Sequence, residues 1–173
     1  MVFDPEFHHR RSIRLKGYDY SKNGAYFVTI CVKGREHLLG SIKNKNIALS
    51  PIGEIVSEQL KQAISIRKEI DIDSFVIMPN HIHLIVFIVG ANGNLPWYGK
   101  EGRAKCLSPL QMRPRSLSSF MVGFKSSVSR RSGFSIWQRN YYDRIIRNEM
   151  ELKSYRKYIN DNPAEWEADE YYV

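Results

Sequence analysis

Phe75-Val76-Ile77-Met78-Pro79-Asn80-His81-Ile82-His83-Leu84-Ile85-Val86-Phe87 is the stretch from which the rest of the chain is read. Two apolar runs, Ile72 to Met78 and His81 to Val89, meet at Pro79-Asn80 and predict a tight β-hairpin with both strands central in a sheet. Alternate strand residues point to opposite faces, so His81 and His83 emerge together while Ile82 is free to pack behind them. Two imidazoles at that spacing can chelate one ion; two histidines flanking a turn can equally satisfy backbone groups.

Around the hairpin the pattern alternates between strand and helix. Tyr26 to Val32 is β-branched and aromatic after the turn signal Ser21-Lys22-Asn23-Gly24, which predicts a first strand, followed by a short hairpin. Ser50 can cap a helix with Pro51 in its first position, and Ile52, Ile55, Val56, Leu60, Ala63 and Ile64 recur at helical spacing. Leu117, Phe120, Met121, Phe124 and Val128 mark a second helix that ends near Gly133. A short strand through Ile136-Trp137-Gln138 leads into Tyr141 to Ile146, and Asn148 with Glu151 resembles a capping box that opens a last helix, stopped before Pro163. The order is that of a ferredoxin-like β-α-β-β-α-β core: α+β, an antiparallel sheet with helices on one face, the other face open to a site or a further helix.

The expected organisation is one domain over residues 1–173, interrupted by a flexible loop at about 90–115 and ending in an acidic tail, 164–173. With 173 residues, 43% of them hydrophobic, the chain can bury one sizeable core. Its two cysteines are too few for a disulfide framework and fit a reducing cytoplasm. The run Leu84 to Val89 is too short to span a bilayer, so no membrane insertion is expected.

A net charge of +8, from 26 Lys and Arg against 18 Asp and Glu, points to a polyanionic partner. The candidate phosphate-tracking residues are Arg10, Arg11, Arg14 and Lys16 near the start and Lys125, Arg130 and Arg131 on the second helix. Tyr18, Tyr20, Trp97 and Tyr98 are candidates to stack unpaired bases. Glu165, Glu167, Asp169 and Glu170 read as a solvating acidic tail.

On the last helix Glu151, Tyr155, Tyr158 and Asn162 share a face. Docked across the open face of the sheet, that helix would bring a phenol and an amide oxygen to the histidines. Asn162 would complete a three-ligand site with no formal charge, so a phosphate would be welcome in the shell of a bound divalent cation. A tyrosine hydroxyl could then attack phosphorus. Tyr141, Tyr142 and Tyr155 compete with Tyr158 for that role on the residues alone, and a water-using metallohydrolase or a pure nucleic-acid binder is compatible with them too.

Met78-Pro79-Asn80-His81-Ile82-His83-Leu84-Ile85, Trp137-Gln138-Arg139-Asn140-Tyr141-Tyr142-Asp143-Arg144-Ile145-Ile146-Arg147-Asn148 and Tyr158-Ile159-Asn160-Asp161-Asn162-Pro163 together resemble the REP-associated tyrosine transposases, within the HUH single-tyrosine transposases. Arg10-Arg11-Ser12-Ile13-Arg14-Leu15-Lys16-Gly17-Tyr18-Asp19-Tyr20-Ser21, Gly24 to Cys31 and Gly123-Phe124-Lys125-Ser126 extend the resemblance over nearly the whole chain. It implies that His81 and His83 bind a divalent metal, magnesium or manganese, that Asn162 adds a ligand, and that Tyr158 is the nucleophile. Glutamine or an acidic residue often stands at the Asn162 position in relatives. The implied reaction is ATP-independent cleavage and rejoining of single-stranded DNA beside a hairpin through a 5′-phosphotyrosine. The implied partner is single-stranded or hairpin DNA in the bacterial nucleoid; the sequence leaves open a monomer or a homodimer.

Overall fold

A computed structural model describes residues 23–89 and 116–172; Arg10, Arg11, Arg14, Lys16, the four candidate stacking aromatics and the expected loop at about 90–115 lie outside them. The central pairing joins β1 (Gly24–Cys31) to β5 (His81–Ile88), antiparallel, with Cys31 opposite His81 and Thr29 opposite His83. On its other side β1 pairs antiparallel with β6 (Tyr142–Ile146), and β5 pairs antiparallel with β4 (Ile70–Ile77), giving the order β4-β5-β1-β6. A small hairpin, β2 (Gly40–Lys43) and β3 (Asn46–Leu49), forms a separate sheet. Its turn residues Asn44 and Lys45 have φ of 50° and 62°, the left-handed pair that matches strand twist in a two-residue loop.

The helices are α1 (Pro51–Ile66), α2 (Leu117–Ser132) and α3 (Glu149–Asp161). With the hairpin as an insertion, the connectivity is the ferredoxin-like β-α-β-β-α-β core expected from the sequence. The helix ends follow local chemistry. Ser50 Oγ accepts from Gly53 N–H (3.0 Å), Asn148 Oδ1 accepts from Glu151 N–H (2.8 Å), and Gly133 closes α2 at φ 81°. Glu151 departs from a strict capping box, since its carboxylate accepts from Arg147 N–H rather than from the cap residue (2.8 Å).

Alternation along β1 divides the molecule. Tyr26, Val28 and Ile30 pack with Val56 and Leu60 of α1 and Phe120, Met121, Phe124 and Val128 of α2. Ala25 on the opposite face packs with Ile85, Phe87, Ile146 and with Leu152, Ile159 and Trp166 of α3 and the segment after it. Because both faces of β5 are covered, every residue from His81 to Ile88 is buried, and its sequence reads as a continuous apolar run.

The expectation of two central hairpin strands holds for β5 only. β4 lies at the sheet edge, where Asp71 is exposed and the register shifts between Ile72 and Ser74. The polar-apolar alternation Ile70-Asp71-Ile72-Asp73 suits an edge strand, and the bulge frees Asp73 from the ladder. The short strand expected at Ile136-Trp137-Gln138 reduces to a single bridge between Trp137 and Val32.

Candidate active site

On the β5 face opposite α1 and α2, the His81 and His83 rings are buried and their Nε2 atoms lie 2.9 Å apart. Each outer nitrogen is engaged. His81 Nδ1 meets Asn80 Oδ1 at 2.8 Å, and His83 Nδ1 meets the Thr29 hydroxyl at 2.8 Å from the neighbouring strand. Asn80 donates its amide hydrogens to the carbonyls of Tyr171 (2.8 Å) and Arg35 (3.3 Å), so its oxygen is the atom left for His81. His81 therefore carries its proton on Nδ1 and a lone pair on Nε2, the arrangement an outer partner imposes on a metal-binding histidine.

Burial, reinforced by the Arg35 charge, pulls the His81 pKa down to about 3; burial and then the His81 charge pull that of His83 to about 3 against Asp169. Both rings are neutral at pH 7, as ligation requires. The unfolded chain protonates them near 6.5 while the folded one refuses, so stability is unaffected above that value and falls as pH drops from 6.5 toward 3. In chelator, urea unfolding between pH 6.5 and 5 is expected to lose up to about 1.4 kcal/mol per pH unit per histidine, and a His81→Gln, His83→Gln variant should flatten the slope. That window lies above the one of Asp73, whose carboxyl burial would raise but whose bonds to Arg156 and Ser74 hold low.

α3 crosses this face of the sheet. Leu152 and Ile159 enter the core, Tyr155 stacks on Phe27 with centroids 4.4 Å apart, and Arg156 grips the bulge residue Asp73 through Nε (2.8 Å) and a second, shorter contact from Nη2. That docking carries the Tyr158 hydroxyl to 3.3 Å from His83 Nε2 within the same chain. The same hydroxyl donates to Asp169 Oδ2 at 3.3 Å. Burial and then the Asp169 charge raise the phenol well above its ordinary range, so its ionisation needs positive charge nearby. The residue as a whole is 37% exposed.

The acidic tail departs from its expected role. Asp169 lies at the site, its carboxylate accepts from Asn162 Nδ2 at 2.6 Å, and the Tyr171 ring covers His81 at 4.6 Å. Ligand atoms of His81, His83 and Asp169 all fall within 4.8 Å of one another. Among the described residues, Asn162 Oδ1 is buried without a partner. Two neutral imidazoles and a carboxylate fit a divalent cation with positions to spare, and the carboxylate gives the set the negative charge that two histidines lack; Asn162 meets this set through its Nδ2 contact with Asp169.

The structure thus brings together Tyr158, His81, His83 and Asn162. It does not bring Lys125, Arg130 or Arg131 among them, because α2 packs on the opposite face of the sheet. Lys125 donates to the carbonyls of Gln138, Arg139 and Asn140, fastening the approach to β6, and Arg131 pairs with Glu58 at 2.9 Å. Thr29, Asn80 and Asp169 are the residues that sequence reasoning missed. Asn80, adjacent to His81, carried a signal as an outer partner; Asp169, one of several acids after Pro163, carried none.

No protein-family model matches the chain. An uncharacterized protein of Haemophilus influenzae strain Rd is 38% identical over 185 aligned positions, spanning 99% of this chain and 97% of that one. The chain belongs to that protein's family. Among solved structures, a REP-associated tyrosine transposase bound to a REP hairpin superposes with a TM-score of 0.60, covering 88% of this chain and 74% of that one. At 19% identity the likeness is one of fold, and the fold is transposase-like.

Proposed function

We propose that this protein is a metal-dependent single-stranded DNA endonuclease and strand transferase, acting beside DNA hairpins through a 5′-phosphotyrosine on Tyr158. The observation that carries the reading is the Tyr158 hydroxyl, 3.3 Å from His83 Nε2, at the edge of a donor cluster suited to magnesium or manganese. The hairpin seen with the structural neighbour supports the same substrate class.

In this reading His81, His83 and Asn162, joined by Asp169, would hold the cation, which would supply Lewis-acid polarisation of the scissile phosphodiester and ease departure of the leaving oxygen. Tyr158 Oη attacks phosphorus as its proton passes to solvent water, and the bond from phosphorus to the 3′ oxygen breaks. That oxygen takes up a proton from water and leaves as a 3′ hydroxyl. One phosphodiester replaces another, so attack by a 3′ hydroxyl reverses the step without ATP. Phe27, stacked on His83 at 5.1 Å, keeps the ring in place.

Arg10, Arg11, Arg14 and Lys16, with Arg130 and Arg131 on the far face of the sheet, would hold the hairpin by its phosphates. Lys125 reaches a phosphate only by releasing three carbonyls, so its removal costs the fold as well as binding. The reading takes residues 1–173 as one unit working on DNA in the cytoplasm; among the described residues no helix is long and apolar enough to cross a membrane.

The test is incubation of the intact chain with hairpin-bearing single-stranded DNA and manganese or magnesium. Cleavage that leaves a 3′ hydroxyl and stops with EDTA is expected. Tight hairpin binding without cleavage under either metal would replace the enzyme with a non-catalytic regulator.

A further inference from the structure

We propose that Tyr142 and Arg144, on the exposed site face of β6, form the platform that carries the unpaired nucleotides flanking the scissile phosphate. This rests on the function proposed above and names the part of the chain that positions its single-stranded substrate.

The strand register places both residues. His83 pairs with Thr29 and Thr29 with Tyr142, so the three form one lateral row across β5, β1 and β6. Ile85, Phe27 and Arg144 form the next row. Side chains in such rows share a face, and Thr29 and Phe27 both touch His83, so Tyr142 and Arg144 project on the site side. At about 4.8 Å per strand, Tyr142 stands roughly 10 Å from His83, next to the site and clear of it.

Their surroundings differ from those of their neighbours. Ile146, further along the same face, is buried under α3, whereas Tyr142 is 48% exposed and Arg144 is exposed. Arg144 makes no ion pair among the described residues, while Arg67, Arg131 and Arg156 each hold a carboxylate. β6 is the sheet edge, with no strand beyond it in the sheet order. A flat phenol and an unpaired guanidinium two residues apart on one face offer a stacking surface and a phosphate anchor, the pairing that holds single strands. An arginine that only discouraged edge-to-edge pairing would need no aromatic beside it on the site face.

Binding of short single-stranded oligonucleotides in EDTA, followed by fluorescence anisotropy over a salt series, separates the possibilities. Arg144→Ala should weaken binding about tenfold and lower the slope of log affinity against log salt by about 0.7, one phosphate's share. Tyr142→Ala should weaken it about tenfold and Tyr142→Phe hardly at all, because stacking uses the ring. Moving a single abasic site along the oligonucleotide should reveal one position at which Tyr142→Ala costs nothing further. Thermal midpoints should stay unchanged, as both side chains are exposed. If the intact chain binds the oligonucleotides and both alanine variants bind with the same affinity and salt slope, the platform is overturned and the proposed function stands. If the intact chain binds no single strand, the platform is overturned, and cleavage of hairpin-bearing DNA with manganese then decides the proposed function separately.

Discussion

Tyr158→Phe is expected to lower formation of covalent protein-DNA adduct by about 10³-fold or more, with hairpin binding kept within about twofold. The substitution removes one oxygen and leaves the ring. Its edge contacts with His83 (centroids 5.1 Å apart) and Phe27 (5.8 Å) survive, and the lost hydrogen bonds are long ones at 3.3 Å. The fold has little to lose, and the reaction loses its nucleophile. No nearby tyrosine substitutes: Tyr155 is laid flat on Phe27, Tyr141 is buried beneath the opposite face, and Tyr142 stands a strand beyond Thr29. Denaturing gels with labelled DNA read the adduct, and anisotropy reads binding. An adduct at wild-type yield would remove Tyr158 from the mechanism.

His81→Ala should weaken manganese binding by about 100-fold or more and reduce cleavage at least in proportion, while hairpin binding persists. In the proposed site His81 Nε2 is the ligand atom, and its lone pair is fixed by the Asn80 contact, so no tautomer change can replace it. The variant also leaves Asn80 Oδ1 without its ring partner and a void beside Tyr171, at a cost of about 1–3 kcal/mol in stability. Calorimetric metal titration and hairpin binding, measured below the variant's thermal midpoint, separate lost metal from lost fold. Cleavage within about threefold of the intact chain would place the cation elsewhere.

The parts of this molecule that were legible in its sequence are those governed by local rules. Ser50-Pro51 and Asn148 open their helices through their own side chains, and Gly133 ends one because a left-handed residue is needed there. The alternation of His81, Ile82 and His83 fixes which face each occupies before any partner strand is known. Tyr158 and Asn162, one turn apart, had to share a side of α3.

What stayed hidden depends on where the chain returns. The second half of β4, Phe75 to Ile77, is as apolar as β5 and so points to a central strand; its edge position shows in Asp71 and Asp73, and Asp73 serves as the carboxylate that grips Arg156 and docks α3. Asp169 was read as a solvated charge because nothing in Glu165 to Glu170 distinguishes the acid that folds back onto Asn162 and Tyr158 from those left in water. Lys125 looked like a phosphate contact because its helical face is polar, yet its ammonium ends among the carbonyls of Gln138, Arg139 and Asn140. Each of these depends on contacts between different elements of the chain, which periodicity within one element does not encode.

In the proposed reaction the hydroxyl of Tyr158 becomes bonded to DNA. Mass spectrometry of proteolysed protein after reaction with hairpin-bearing single-stranded DNA and manganese tests it most directly. One modified peptide is expected, with a 5′-linked nucleotide on Tyr158. Cleaved DNA bearing a free 5′ phosphate and no modified peptide, or a nucleotide on any other tyrosine, would contradict it.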